Sequence, residues 1–308
     1  MNPSIWTAFF YEPETGKGPG LGPEKAVAAI SEAGFRYCEM AYEHMEMLTE
    51  GPKPEARLEK FRKSVEPLKV NIGQLHAPII SHFISLKLPL YQRQADLASD
   101  SEDLRRKEMR LLADWLGYCR ILNISTMVVH PGGKRVWRNQ TDYRQARQAN
   151  HEAFKQLAEK AEKARVSVAV ENMGGGMFAS YPEDLLEMLQ EIDCPYLGAC
   201  LDTSHANIVG PGFDIPQFIR DCGKKLFATH ISDNLGKNDD HLMPYSGRVA
   251  WQPVVKALEE IKYAGLFNLE IPGERKCPVP EILKLKAEFA LALLNQMLFD
   301  SPVGKRLK

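Results

Sequence analysis

Residues 196–207 read YLGACLDTSHAN. The apolar run YLGACL has strand length and ends on Asp202, with His205 three positions further on. A short, continuous apolar run closed by a turn signal is the pattern of a strand buried on both faces, as in a parallel sheet covered by helices. A carboxylate where such a strand ends is costly to bury unless a partner compensates its charge. Asp202 and His205 are weak signals alone, and the rest of the chain decides how to read them.

The pattern recurs along the chain. Further candidate strands are IWTAFF from Ile5, RYCEMA from Arg36, NIGQLHA from Asn71, STMVVH from Ser125, VSVAVEN from Val166, LFATHIS from Leu226 and FNLEIP from Phe267. With YLGACLD from Tyr196 they make eight, the number that closes a parallel barrel. Helical periodicity appears between them in EKAVAAISEAG, LRRKEMRLLADWLGYCRIL, YRQARQANHEAFKQLAEKAEKA and VVKALEEIKYAG. Their apolar positions recur at three and four, as in helices that cover one face of a sheet. Ser180, followed by Tyr-Pro and the acids Glu183 and Asp184, predicts a helix N-cap. No linker divides the chain, so residues 1–308 are expected to form an α/β fold, a single (β/α)8 TIM barrel. The segment from Ile79 to Asp100 is long for a strand-to-helix connection and is expected to be an active-site lid or a subunit contact.

Composition narrows the partners. With 39 Lys and Arg against 40 Asp and Glu, the formal charge is -1, which gives no whole-chain case for nucleic acid or an acidic membrane. The six cysteines, Cys38, Cys119, Cys194, Cys200, Cys222 and Cys277, form no CxxC pair and read as reduced thiols. The N-terminal MNPSIWTAFFYEPE lacks a basic segment followed by a long apolar run, and no later run reaches the ~20 apolar residues that span a bilayer. A soluble, cytoplasmic protein is expected, with homo-oligomerisation through the apolar 79–100 segment or peripheral helices as an option.

His76, His130, Glu171, Asp202, His230 and Glu270 each fall at or near the end of a candidate strand. In a barrel those ends converge on one mouth, where catalytic groups sit. A divalent cation would compensate Glu171, Asp202 and Glu270 together, with His230 as a nitrogen ligand. Three oxygens and one nitrogen suit Zn or Mn best, and Mg or Co as well. Taken singly, His76 or His130 also fits an ordinary interior histidine, and the glutamates could pair with Arg275 or rim lysines. His205, on the turn after Asp202, would contact substrate oxygen or a further ion. Asp239 and His241, two apart in NDDHLMP, point the same way if that loop is extended.

Trp6, Phe9 and Trp137 are candidates to line an apolar substrate face, or simply to pack the barrel. For a phosphate ester, Lys237, Arg135, Arg138, Arg248 and Arg275 are candidate anion contacts, with HPGGKR, containing Lys134 and Arg135, the best local cluster. Neither HPGGKR nor VENMGGG has the spacing of a nucleotide-binding loop, so ATP and NAD are not expected.

The motifs HPGG, VENMGGG, CLDTSHAN, THISDN, DDHLMPYSG and NLEIPG resemble the xylose-isomerase-like barrel superfamily, over roughly Ile5 to Ala290. That superfamily contains sugar isomerases and epimerases and also endonuclease IV. The resemblance implies a divalent metal held by Glu171, Asp202, His230 and Glu270. In the ketose 3-epimerases, the glutamates matching Glu171 and Glu270 both hold metal and exchange a carbon-bound proton, and the histidine matching His205 contacts substrate oxygens. In endonuclease IV three zinc ions are held by residues that match His76, His130 and Glu171, then Glu171, Asp202, His230 and Glu270, then His205, Asp239 and His241. The opening WTAFFYEPETGKGPGLG does not resemble the endonuclease, and PYSGRVAW replaces the PGxG-like turn of many sugar-isomerase relatives.

The expectation is therefore a metal-dependent isomerase or epimerase of a small sugar or sugar phosphate. Glu171, Glu270 and His205 are the catalytic candidates, proton transfer passes through an enediolate, and Trp6, Trp137 and Arg248 contact substrate. The alternatives are a zinc phosphodiesterase acting on abasic DNA, for which DNA would be the partner, and a non-catalytic sugar-binding or assembly protein.

Overall fold

The computed structural model describes residues 1–10, 21–80, 95–133, 140–273 and 280–299. Eight parallel strands close into a barrel in chain order: β1 (Asn2–Trp6), β2 (Tyr37–Met40), β3 (Asn71–His76), β4 (Thr126–Val129), β5 (Ser167–Glu171), β6 (Leu197–Asp202), β7 (Leu226–Ile231) and β8 (Leu266–Leu269). Closure is made by β1 against β8, with Ser4 opposite Asn268. β1 departs from expectation: it begins at Asn2 and stops at Trp6, and Thr7–Phe10 form a 3-10 turn instead of continuing the strand. The Thr7 hydroxyl accepts from the Ala41 amide at 2.9 Å and meets His44 Nδ1 at 2.8 Å, which ties the turn to the end of β2.

The helices are α1 (Pro23–Glu32), α2 (Tyr42–Thr49), α3 (Pro54–Val65), α4 (Glu102–Leu122), α5 (Gln140–Ala164), α6 (Pro182–Ile192), α7 (Thr203–Val209), α8 (Ile215–Cys222), α9 (Trp251–Glu260) and α10 (Pro280–Leu298). Local chemistry sets their ends. Ser101 caps α4 by accepting from Leu104 N, the acids Glu102 and Asp103 follow at its positive end, and Asn123 closes it in a left-handed conformation. At α6 the N-cap is Tyr181 rather than Ser180, whose hydroxyl makes no hydrogen bond. Asp184 in the first turn accepts instead from Ala179 N at 3.2 Å. Burial pushes the Asp184 carboxyl up to about 6 in spite of that bond.

Large side chains such as Trp115, Phe154, Phe218 and Trp251 fill the space between sheet and helices. Inside the barrel, side chains two apart on one strand share a face. The residues two before the mouth groups therefore form a lower layer. On β4 to β7 it is apolar: Val128, Ala169, Cys200 and Ala228 form a separate buried cluster. On β8, β1, β2 and β3 it is polar: Asn268, Ser4, Glu39 and Gln74 are all buried. Ser4 Oγ donates to Asn268 Oδ1 at 2.8 Å, and Gln74 Nε2 donates to Glu39 Oε2.

The described end of the 79–100 segment is latched to the turn after β4. Asp96 Oδ1 accepts from Ala98 N at 2.9 Å and from Gly133 N at 2.7 Å. A Cβ at Gly132 would lie 2.1 Å from Ala98 N, so only glycine lets the two backbones approach this closely. The described cysteines Cys38, Cys119, Cys194, Cys200 and Cys222 are free thiols. Ile282, Leu285 and Phe289 are exposed along α10. Among the described residues no helix is long and apolar enough to cross a membrane.

Candidate functional site

The strand ends bring the acidic and imidazole groups together. His76, Glu171 and Asp202 are the last residues of β3, β5 and β6, His230 lies in β7, and His130 and Glu270 stand one residue beyond β4 and β8. Glu171 is the hub. Its Oε2 lies 3.6 Å from His76 Nε2, 3.2 Å from His130 Nε2 and 3.2 Å from His230 Nδ1, while its Oε1 lies 3.2 Å from His205 Nδ1. Glu270 Oε2 is 2.8 Å from the same His230 Nδ1. His76, Glu171, Asp202, His230 and Glu270 are all buried.

Asp202 answers the question its position raises. One carboxylate oxygen, Oδ1, accepts from His205 N at 2.7 Å and caps α7, so the same residue ends a strand and starts a helix. The other, Oδ2, has no hydrogen-bond partner. Asn172 braces the junction, its side chain accepting from Asp202 N at 2.7 Å and donating to Asp202 O at 3.0 Å.

The imidazoles are held in a common way. His76, His205 and His241 each use Nδ1 on a backbone carbonyl, of Ala77 at 2.8 Å, Asn172 at 2.9 Å and Glu270 at 2.8 Å. A carbonyl only accepts, so each carries a proton on Nδ1, and the acid that each Nε2 faces favours a second proton there. Asp239 Oδ2 receives two of these, His205 Nε2 at 3.2 Å and His241 Nε2 at 3.0 Å.

Protons balance this crowd of carboxylates. Burial opposes ionisation of Glu171, but the charges on His130 and His230 hold its carboxyl well below the usual range. Glu270 is likewise buried and is brought down to about 2 by His230. Burial pushes Asp202 up to about 7 against the pull of His205, with Glu171, Glu270 and Asp239 adding to the rise. His230 is held well above its ordinary value despite burial, by Cys200, Glu270, Glu39 and Glu171. The cavity thus selects positive charge at its centre.

A divalent cation would supply that charge from one point, and the donors present fit one. Glu171, Asp202, His230 and Glu270 offer ligand atoms within 4.8 Å of one another. One buried atom of each, Glu171 Oε2, Asp202 Oδ2, His230 Nδ1 and Glu270 Oε2, lacks a hydrogen-bond partner. His76, His130 and Glu171 form a second compact group, and His230 also groups with His76 and Glu270 and with Glu171 and Cys200. His205, Asp239 and His241 are joined through Asp239 but are not such a compact group among the described residues.

The other expected contacts separate. Trp6 ends β1 and donates from Nε1 to Ile271 O at 2.7 Å, leaving its ring partly buried. Phe9 is fully buried core beneath the Lys286 ammonium, 5.7 Å from the ring centroid, so it packs the barrel and does not line the mouth. Arg248 and Lys237 are exposed. Trp137, Lys134, Arg135, Arg138, Arg275, Cys277 and residues 81–94 lie outside the described residues.

Two features escaped the sequence reading. Glu39, fully buried in β2, lies 3.1 Å from His230 Nε2. The carboxylate in the middle of RYCEMA was the only signal, since it marks no strand end. Asp233 is also fully buried and accepts from Asn234 N at 2.9 Å, Val249 N at 3.0 Å and Trp251 Nε1 at 3.0 Å. These bonds pin the loop that carries Asp239 and His241.

Relatives are consistent with this architecture. An uncharacterised protein of Methanocaldococcus jannaschii is 29% identical over 176 residues, 56% of this chain and 59% of its own length. A probable ketose 3-epimerase of Synechocystis is 28% identical over 58% of this chain and 61% of its own, and a probable endonuclease 4 of Aquifex aeolicus 25% identical over 58% and 68%. The chain thus spans about three-fifths of the first of these relatives. The D-psicose 3-epimerase structure from Clostridium cellulolyticum superposes with a TM-score of 0.74 at 16% identity, over 97% of this chain and 99% of that one, which is a likeness of fold. The family model described as xylose isomerase-like TIM barrel matches residues 27–293, and the chain belongs to that family.

Proposed function

We propose that this chain is a divalent-metal-dependent isomerase or epimerase acting on a small sugar or sugar phosphate. Zn or Mn suits the donor set best, and Mg or Co also fits. One observation carries the proposal: Glu171 Oε2 and Glu270 Oε2 flank the same nitrogen, His230 Nδ1, at 3.2 and 2.8 Å, and these atoms with Asp202 Oδ2 are buried without a hydrogen-bond partner. The likeness to a probable ketose 3-epimerase supports the reaction class.

The ion would supply electrophilic stabilisation of the negative charge that develops on a substrate oxygen as an enediolate forms. Glu171 takes a proton from a substrate carbon and Glu270 returns one to the opposite face, with the roles exchanged in the reverse direction. His205, its Nδ1 fixed on the Asn172 carbonyl, presents Nε2 to substrate oxygens. Trp6 and Trp137 contact the sugar's apolar face, and Arg248 meets the anion of a sugar phosphate. The free thiols of the described cysteines support a cytoplasmic setting for this chemistry.

The test incubates the metal-loaded protein in D2O with ketoses and ketose phosphates and follows deuterium entry at carbon by NMR. Exchange with one ion per chain is expected, and Glu171→Gln should lower metal affinity and slow exchange together, the latter by about 10³-fold. Near-wild-type exchange in that variant rejects the assignment. A second reading, a phosphodiesterase acting on abasic DNA, draws on the compact His76, His130 and Glu171 group and on the endonuclease 4 relative. More than one ion per chain together with cleavage of an abasic duplex would favour it.

A further inference from the structure

Among the four members of the candidate cation site, His230 is the imidazole, and it is held differently from its neighbours. His76, His205 and His241 rest Nδ1 on backbone carbonyls, whereas His230 rests Nε2 on a carboxylate, Glu39 Oε2, at 3.1 Å. The opposite nitrogen, Nδ1, faces Glu171 and Glu270. Glu39 is itself aimed by Gln74, its register partner on β3, whose Nε2 donates to the same Oε2. The His76 ring stacks over His230 with centroids 5.3 Å apart and planes 16° from parallel, which fixes the plane of the ring.

A carboxylate buried this completely is costly and would be a poor choice for filling space. Its Oε1 has no hydrogen-bond partner, so hydrogen bonding does not repay the burial in full. What it does achieve is orientation. A carboxylate oxygen that already receives Gln74 Nε2 acts as an acceptor, so His230 keeps a proton on Nε2 toward it, and Nδ1 is the nitrogen whose proton a cation among Glu171 and Glu270 would replace. We propose that Glu39, aimed by Gln74, is a positioning residue that locks His230 in the tautomer and orientation needed to bind a divalent cation through Nδ1. This rests on reading Glu171, Asp202, His230 and Glu270 as a cation site.

The test uses Co2+ as probe with the full chain, measuring affinity by competition with a chelator and the ligand field by visible absorption. Glu39→Gln keeps the shape and removes the charge, and it should weaken Co2+ binding by about 10-fold to 100-fold and change the absorption bands. The melting temperature of the metal-free variant should fall, because one partner of a buried pair with His230 has gone, so affinity and spectrum of the folded protein carry the test. Gln74→Leu, which leaves the carboxylate in place but unaimed, should weaken binding in the same direction by a smaller factor. A merely structural Glu39 would leave affinity and spectrum of the folded protein unchanged, whatever the metal-free melting temperature. Wild-type affinity and bands in Glu39→Gln overturn the positioning role while the cation site stands, whereas a wild-type protein that binds no Co2+, Mn2+ or Zn2+ removes the site itself. Should Glu39→Gln fail to fold, Gln74→Leu decides by the same criteria.

Discussion

One layer below the mouth, the two arcs of the barrel wall carry opposite chemistry. The arc from β4 to β7 presents Val128, Ala169, Cys200 and Ala228, and the arc from β8 through β3 presents Asn268, Ser4, Glu39 and Gln74. Glu171 and Asp202 rise from the apolar arc, so nothing beneath them neutralises their charge and they must look inward for it. His230 also rises from the apolar arc, above Ala228, yet its far nitrogen reaches across the barrel to Glu39 on the polar arc. The apolar arc removes water from the carboxylates, which strengthens every charge interaction above it. The polar arc supplies hydrogen-bond partners that set the direction of groups at the mouth.

That distinction breaks most visibly if polarity is placed on the wrong arc. Val128 is fully buried in the apolar cluster. Val128→Asn deletes a buried apolar side chain and leaves an amide without partners, and the metal-free protein should lose about 4 kcal/mol in urea unfolding. A loss under about 1 kcal/mol would mean that this arc accommodates polar groups as readily as the other, and the comparison would fail.

The same contrast explains what the sequence revealed. The apolar arc belongs to strands that read as unbroken runs, VSVAVEN and YLGACLD above all, and both were located within one or two residues. Their terminal acids announced the mouth because a charge at the end of an apolar run has no other ready explanation. The polar arc was less legible. Ser4 precedes the stretch read as the first strand, and IWTAFF looked like a strand to Phe10 because its apolar run does not reveal that Thr7 bonds to Ala41 and His44 and turns away. Glu39 and Gln74 sit inside strands, where their partners come from residues distant in sequence: Glu39 and His230 are 191 positions apart. Pairing of that kind is a product of barrel closure, and no local pattern encodes it. Ser180 misled for a related reason, since Asp184 accepts the Ala179 amide from within the first turn of α6.

His44, bonded to the turn that follows β1, makes stability depend on pH. It is fully buried, with Nε2 donating to Leu21 O at 2.8 Å and Nδ1 accepting from the Thr7 hydroxyl. Burial lowers it to about 4, with the Leu21 hydrogen bond opposing the shift. The folded protein therefore binds this proton less readily than the unfolded chain, whose histidine titrates near 6.5. Stability is fully present above about 6.5 and falls as pH drops toward about 4, by up to about 3 kcal/mol from this residue. His44→Gln should flatten that part of the urea-unfolding profile between pH 6.5 and 4, after its own constant cost at neutral pH. An unchanged slope would show that His44 takes up its proton in place and that the Thr7 contact tolerates it.

The smallest expected effect separates two kinds of polar partner on the same arc. Ser4 and Asn268 bond only to each other among the described side chains, Oγ to Oδ1 at 2.8 Å, and Asn268 Nδ2 already lacks a partner. Ser4→Ala strands a buried carbonyl oxygen and should cost about 1.5 kcal/mol, whereas Ser4→Ala combined with Asn268→Leu removes both halves of the pair. The double variant should be more stable than the sum of the single changes predicts by about 1 kcal/mol or more, measured as a double-mutant cycle in urea. Asn268 stands beside His230 in the β7–β8 register but makes no bond to its ring, so Co2+ affinity in the double variant should stay within about 2-fold of wild type. If instead affinity falls as far as in Glu39→Gln, the whole arc acts as one supporting unit for the cation site. If it holds, stability and orientation are carried by different residues of that arc: Ser4 and Asn268 satisfy one another, and Glu39 with Gln74 directs His230.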